Sequence, residues 1–181
     1  MTTDEATWVA GLRANDPRAF DAVFDAYRER LWAFLLRLCG RTELADELLQ
    51  ETWIRLASHA TRLTPDTNLR GWLFTVARNL YRSHRRWAWL DGQRLLELAT
   101  RAAPRPPTPH EHAAASESAR AVERVLAELP DSSREVALLV WIERMDPSEA
   151  AVVLGLRPDA VRQRLARARA ALSTVLERGD P

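Results

Sequence analysis

The segment DPSEAAVVLGLRPDAVRQRLARAR, residues 146–169, carries the clearest structural pattern in the chain. It opens with Asp146, a proline and, three residues after the aspartate, Glu149, which is typical of a helix start because both acids can accept bonds from unpaired backbone N–H groups. Gly155 is suited to end that helix, and Pro158 to begin another. Two helices joined by a tight glycine turn predict a helix-turn-helix.

The second helix of this motif carries side chains that suit DNA. Its outward positions include Arg162, Gln163 and Arg167, which can hydrogen-bond to guanine and adenine edges, while Arg164 and Arg169 can hold phosphates or neighbouring acids. An ordinary helical hairpin with a charged surface is the alternative interpretation. The net positive charge of the second helix favours DNA binding.

Charge along the chain alternates although the net charge is only +1. Residues 1–60 carry 7 arginines against 10 acids, and residues 61–94 carry 7 against 2. Residues 95–156 carry 6 against 10, and residues 157–178 carry 6 against 2. The two basic segments are typical of surfaces that bind phosphates. A single run of charged residues, however, is more often simply a helix face exposed to solvent.

Composition predicts an all-α protein of two small helical domains joined by a flexible linker. Only six of the 181 residues are glycine, and strong helix formers dominate. We expect an N-terminal domain over residues 1–94, a proline- and alanine-rich linker over residues 95–118 and a C-terminal domain over residues 119–181. The acidic, polar start and the lack of a long apolar run predict a cytoplasmic protein without membrane insertion.

Three helix starts are marked in the N-terminal domain. Asp16, followed by a proline, begins a helix that Gly40 is suited to end. Thr42 is placed to cap the next helix. Asn68 is placed to cap a third helix, which runs from Leu69 to about residue 87.

The second of these helices has a polar, acidic side. At 100° per residue, one arc of the helix contains Asp46, Glu47, Gln50, Glu51 and Ile54. A solvated face, a docking surface for a basic partner and a di-acid metal site are three interpretations of this arc. The metal site is disfavoured because no histidine lies at ligand spacing on the helix.

The third helix interleaves basic and aromatic residues. Its polar candidates are Arg78, Asn79, Arg82, Arg85 and Arg86. Arginines can follow phosphates while aromatic rings stack on exposed bases, which suits single-stranded or distorted DNA. Core packing is the alternative for the aromatic residues; we prefer it for Trp72 and Phe74, and leave Tyr81 and Trp87 open between the two.

Catalysis and metal binding are not expected. His110 and His112 lie in a proline-flanked segment that lacks the fixed geometry of a metal site. Cys39 is the only cysteine, so the chain cannot form an internal disulfide. No hydrolase, nucleotide-binding or metalloprotease motif occurs, and we therefore expect neither a catalytic residue nor a cofactor.

Three ordered motifs resemble a known family. The segments DELLQETWIRLA, RGWLFTVARNLYRSHRR and LPDSSREVALLVWIERMDPSEAAVVLGLRPDAVRQRLARARAAL are similar to those of the extracytoplasmic-function (ECF) sigma factors of bacterial RNA polymerase. The resemblance covers residues 16–90 and 119–176. It implies a promoter-recognition subunit whose two helical domains resemble sigma regions 2 and 4.

The resemblance also implies a role for each surface. The arc with Asp46, Glu47, Gln50, Glu51 and Ile54 would dock on the β′ clamp of core polymerase, and the C-terminal domain would meet the β flap. The −10 element would be bound by Arg62, Asn68, Arg78, Asn79, Arg82, Arg85 and Arg86. The −35 element would be read by Arg162, Gln163, Arg164 and Arg167 in the major groove. An anti-sigma protein is a further expected partner.

The sequence departs from the family pattern at the start of the reading helix. Asp159 and Ala160 stand where the family usually has glycine and threonine, and Asp159 puts a negative charge near the DNA. A stand-alone helix-turn-helix regulator is the rival hypothesis, and tight operator binding without polymerase would distinguish it. An interaction protein that has lost promoter recognition is a third hypothesis, which rests only on this departure.

Overall fold

The computed structural model describes residues 3–90 and 117–178, which belong to two compact units: unit 1, within Met1–Ala99, and unit 2, within Thr100–Pro181. Every regular element in the described ranges is a helix, so the predicted all-α class is confirmed. Most of the predicted linker over residues 95–118 lies outside the described residues, but its last two residues already belong to a helix. None of the described helices is long and apolar enough to cross a membrane.

The described part of unit 1, residues 3–90, contains four α-helices and one 3-10 turn. These are α1 (Thr3–Arg13), α2 (Pro17–Cys39), α3 (Thr42–His59), the 3-10 turn Ala60–Arg62 and α4 (Leu69–Leu90). Helix α2 packs against α1, α3 and α4, so it forms the centre of the unit. Its buried Phe34 meets Phe74 of α4 edge to face, with ring centroids 5.1 Å apart.

The ends of α2 follow the sequence prediction, but the start of α3 does not. Asp16 Oδ1 accepts a hydrogen bond from the Arg18 backbone N–H at 3.0 Å, and Gly40 ends the helix at φ 67°. Thr42 was predicted as a cap, but it is the first residue of α3. The preceding Arg41 makes no side-chain capping bond, so the Thr42 prediction is wrong. Buried Cys39 donates its thiol to the Arg41 carbonyl at 3.2 Å.

Helix α1 lies before the part of the chain that the sequence motifs cover, and it is tied to α2 through a buried polar contact. Tyr27 donates its hydroxyl to Glu5 Oε1 at 2.7 Å. Burial, together with the Glu5 carboxylate, raises the pKa of Tyr27 above its ordinary value. The Trp8 ring also meets the Tyr27 ring edge to face at 6.3 Å. Helix α1 is therefore an integral part of unit 1.

Residues 117–178, the part of unit 2 that the structure describes, form four α-helices and one π-helical turn. These are α5 (Glu117–Glu128), α6 (Asp131–Ala137), the π-helical turn Leu138–Ile142, α7 (Pro147–Leu154) and α8 (Pro158–Arg178). The long helix α8 packs against α5, α6 and α7. Its Val161, Leu165 and Ala168 are buried, as the helical spacing predicts.

One arginine joins α6 to the end of α5. Arg134 donates from Nε to the Leu126 carbonyl at 2.7 Å and from one terminal nitrogen to the carbonyls of Ala127 and Leu129, at 2.6 and 3.0 Å. Because the last carbonyls of a helix have no intrahelical partner, this guanidinium satisfies the C-terminal end of α5. It ties the first two helices of unit 2 together.

Candidate functional surfaces

The polar side of α3 is exposed, as the helical wheel predicts. We call Asp46, Glu47, Gln50, Glu51 and Ile54 the docking face. Glu51 is the only half-buried member, and it accepts a hydrogen bond from Arg55 Nε at 3.0 Å. Ile54 keeps 54% of its surface exposed, which is unusual for an isoleucine. The docking face therefore combines carboxylates with an exposed apolar side chain.

A shallow apolar groove borders the docking face. Its walls come from α2 and α3 and include Phe20, Phe24, Leu49, Trp53 and Ile54. The rings of Trp53 and Phe24 pack together with their centroids 5.0 Å apart. The buried Nε1 of Trp53 has no hydrogen-bond partner. The groove extends the apolar part of the docking face toward α2.

One member of the docking face is held by a contact that the sequence did not reveal. Trp32 of α2 donates its indole N–H to Asp46 Oδ1 at 2.7 Å. The two residues are 14 positions apart, so no local pattern could have paired them. This bond fixes the orientation of the Asp46 carboxylate at one end of the face.

In the described part of the chain, no cluster of histidine, cysteine and acidic residues could hold a metal ion, and the candidate pair His110 and His112 lies outside that part.

The loop before α4 is a compact turn. The Thr64 backbone N–H donates to Thr67 Oγ1 at 2.9 Å, and the two threonine hydroxyls lie 3.0 Å apart. A separate hydrogen bond from the Thr64 side chain lowers the pKa of the exposed Asp66 carboxyl below its ordinary value. Arg62, at the end of the 3-10 turn, is exposed at the entrance to this loop.

Asn68 caps α4, as the sequence predicts. Its Oδ1 accepts a hydrogen bond from the Gly71 backbone N–H at 2.8 Å. A Cβ atom at Gly71 would lie 3.3 Å from the Asn68 amide, so glycine gives the cap its space. Next to it, Trp72 stacks on His59 from the end of α3 with ring centroids 5.6 Å apart. Asn68 therefore has a structural task in addition to its predicted contact with DNA.

Four of the five polar candidates on α4 share its solvent side. We call Asn79, Arg82, Arg85 and Arg86 the basic face of α4, and all four are exposed. Arg78 differs, because only 5% of it is exposed. On the helical wheel it lies between the exposed Arg82 and Arg85, but its side chain is buried, so its assignment to a DNA surface is not supported.

The aromatic residues that the sequence left open separate into two kinds. Tyr81 is buried, and the guanidinium of Arg85 lies 5.8 Å from its ring centroid. Trp87 is 69% exposed. Phe74 is a core residue, whereas Trp72 is only half-buried. Trp87 is thus the aromatic ring on the described part of α4 that is accessible to a base.

The helix-turn-helix forms with the predicted capping. Asp146 Oδ1 accepts bonds from the backbone N–H groups of Ser148 and Glu149, at 2.7 and 3.0 Å, and Glu149 Oε2 accepts one from the Asp146 N–H at 3.1 Å. Gly155 ends α7 at φ 60°, a conformation that side chains disfavour. The Leu156 N–H closes the turn on the Ala151 carbonyl at 2.9 Å.

The candidate DNA contacts of α8 lie opposite its buried side. We call Arg162, Gln163 and Arg167 the reading face, and all three are exposed. Arg164 is half-buried beside them. Asp159 and Arg162 form an exposed ion pair across the first turn of α8. The departure from the family pattern therefore contacts the reading face directly.

Two family models match this chain, one in each unit. The family model Sigma-70 region 2 matches residues 23–90, which contain the docking face and the basic face of α4. The model Sigma-70, region 4 matches residues 119–172, which contain the helix-turn-helix. The two matches define the class of protein as a transcription initiation factor of the sigma-70 type.

Individual relatives narrow the class. The ECF sigma factor EcfG of Rhodopseudomonas palustris is 32% identical over 81% of this chain and 78% of its own. CnrH of Cupriavidus metallidurans is 37% identical over 73% of each chain. The chain spans 42% of a longer relative, the probable sigma factor RfaY of Xanthomonas campestris, at 31% identity. The chain belongs to the ECF sigma factors of bacterial RNA polymerase.

Solved structures show the same fold. CnrH in complex with the cytosolic domain of CnrY superposes with a TM-score of 0.70 at 26% identity, covering 98% of this chain and 99% of that one. RpoE of Bartonella quintana in complex with the anti-sigma factor NepR gives a TM-score of 0.71 at 22% identity, covering 89% and 98%. The family resemblance inferred from three sequence motifs is thus confirmed.

Proposed function

We propose that this sigma factor divides its work among three surfaces. The docking face of α3 binds the β′ clamp of core polymerase, and unit 2 meets the β flap. The loop at Arg62–Asn68 and the basic face of α4 hold the −10 element, while the reading face of α8 reads the −35 element. The chain supplies recognition and melting, and the polymerase supplies catalysis.

The opposite charges of these surfaces are the main support for this proposal. The docking face on α3 exposes carboxylates, whereas the basic face of α4 and the reading face of α8 expose arginines. Duplex DNA repels the first surface and attracts the other two, so a single chain can hold a protein partner and DNA at once. Base flipping in the −10 element costs a few kcal/mol, which contacts along α4 would offset.

An anti-sigma protein is the second proposed partner. The solved structures of CnrH and RpoE both contain a bound protein, the cytosolic domain of CnrY and the anti-sigma factor NepR respectively. The docking face, with exposed Ile54 and the adjoining groove, offers this chain an apolar surface for such a protein. Competition between polymerase and an inhibitor for this face would regulate the factor in the cytoplasm.

Transcription with purified core polymerase tests the proposal. The full chain should direct promoter-dependent transcripts that core polymerase alone does not give. Failure of folded protein to do so on promoters mapped after overexpression would contradict the assignment. Operator binding of equal affinity with and without polymerase would instead favour a stand-alone regulator.

A charge reversal tests the docking face. Glu47→Arg with Glu51→Arg should weaken binding to core polymerase at least tenfold, because like charges at a docking surface repel. Asp25→Arg with Glu29→Arg is the matched control, since these exposed acids of α2 have the same spacing and give the same change of net charge. Equal loss of binding by both pairs would show that net charge, and not the docking face, matters.

A further inference from the structure

The first turn of α8 contains an acid and an arginine that bind each other. Asp159 is the second residue of the helix, and Arg162 lies one turn later on the same side. Arg162 Nη2 donates to Asp159 Oδ1. Both side chains are well exposed, 62% for Arg162 and 69% for Asp159, so the pair stands on the surface that a recognition helix presents to DNA.

The helix favours a carboxylate at position 159. The N-terminal end of a helix carries partial positive charge, which stabilises an acid in its first turn. A guanidinium has five N–H donors, and a bidentate contact to guanine uses two. Arg162 can therefore keep its bond to Asp159 and still read a guanine edge.

The same pair works against phosphate binding. A long, unrestrained arginine can follow the nearest phosphate, whatever the base sequence. The Asp159 carboxylate neutralises part of the Arg162 charge and repels the DNA backbone. A carboxylate in the major groove can also accept a hydrogen bond from the N4 amino group of cytosine, so the repulsion is offset only at a matching sequence.

We propose that Asp159 is a specificity-determining residue, which restrains Arg162 so that α8 gains affinity from matching bases and little from phosphates. The inference rests on the proposed −35 role of α8 and deepens it. The negative charge near the DNA is thus part of the readout. We expect the preferred site to contain a guanine opposite Arg162 with a cytosine within reach of Asp159.

Holoenzyme assembled from the full chain and core polymerase provides the test. A duplex selected from a library that is randomised upstream of the −10 element is compared with a random-sequence duplex of equal length. Asp159→Asn should lower the ratio of the two affinities about tenfold. It should also steepen the salt dependence of binding to the random duplex by about 0.9 in log–log slope, because freed Arg162 gains one phosphate contact.

Three further variants separate the outcomes. Asp131→Asn is the matched control, because Asp131 pairs with Arg134 at the same i,i+3 spacing on α6, and it should leave the affinity ratio unchanged. In an Arg162→Ala background, Asp159→Asn should no longer change the salt slope. Asp159→Asn could raise the affinities for the selected and the random duplex by the same factor while Arg162→Ala still lowers their ratio. That result would overturn the role of Asp159 and leave the reading role of α8 intact. If Arg162→Ala leaves the ratio unchanged, the reading role of α8 fails, and this inference with it.

Discussion

Helices α4 and α8 both present arginines to solvent, but they combine structure and proposed DNA contact in opposite ways. In unit 1, Asn68 caps α4 and Arg78 is buried, so residues predicted to bind DNA also support the fold. In unit 2, Asp146 and Gly155 shape the helix-turn-helix, while the reading face is separate from them. Substitutions on the reading face of α8 should therefore change DNA binding alone, whereas substitution of Asn68 should change binding and stability together.

The largest expected effect concerns the contribution of Arg134 to the stability of unit 2. Arg134→Ala should lower its free energy of unfolding by about 3 kcal/mol, because three carbonyls lose a charged donor. Hydrogen exchange resolved by peptide can measure this for each unit separately, since the two units need not unfold together. The exposed Arg169→Ala is the control and should leave exchange unchanged. Faster exchange in unit 1 as well would show that the units are not independent.

The next effect contrasts two arginines one turn apart on α4. Arg78→Ala should destabilise unit 1 by about 2 kcal/mol. Removal of the buried side chain leaves its hydrogen-bond partners without a donor and takes away the packing of its stem. The exposed Arg82→Ala should change stability by less than about 0.5 kcal/mol. It should instead lower the salt slope of −10 DNA binding by about 0.9. Denaturant unfolding and binding titrations measure the two quantities, and identical behaviour of both variants would break the contrast.

Position 68 allows the two tasks of one residue to be separated. Asn68→Ala should destabilise unit 1 by about 1 kcal/mol through loss of the cap. Asn68→Asp should preserve the cap, because aspartate is as good an N-cap, while adding a charge that repels DNA. We expect normal thermal unfolding and weakened −10 binding for Asn68→Asp. Normal DNA binding by that variant would remove Asn68 from the proposed contacts.

The smallest effect concerns the exposed ring at the end of α4. Trp87→Ala should leave the free energy of unfolding within about 0.5 kcal/mol of the original value. If Trp87 stacks on an unpaired base, the affinity for a single-stranded −10 strand should fall about fivefold, and Trp87→Phe should restore most of it. Fluorescence anisotropy with that strand measures the change. Equal affinities of all three proteins would leave Trp87 outside the DNA surface.

The starts of helices and their exposed sides could be predicted from the sequence because they depend on neighbours within one or two turns. The Asp146 capping box, the turn at Gly155 and the exposed side of α3 are all local patterns, and the structure contains each of them. Thr42 was misread because helix propensity and capping preference compete at a threonine, and here the residue entered the helix.

Contacts between distant segments were not readable. The bonds from Trp32 to Asp46 and from Tyr27 to Glu5 depend on how helices pack, which a single sequence does not record. Arg78 shows the same limit from the other direction. Its charge and its place on the helical wheel, between Arg82 and Arg85, suggested a DNA contact, but packing within the folded chain buries its side chain.

The buried thiol of Cys39 gives the chain a chemical reporter confined to one unit. It is the only cysteine of the protein, and it lies at the end of α2 against the Arg41 carbonyl. An alkylating reagent can reach it only when this part of unit 1 opens, so the labelling rate measures that opening directly. Unit 2 contributes nothing to the signal. Mass spectrometry of one modified peptide can therefore report whether a bound polymerase or inhibitor tightens unit 1.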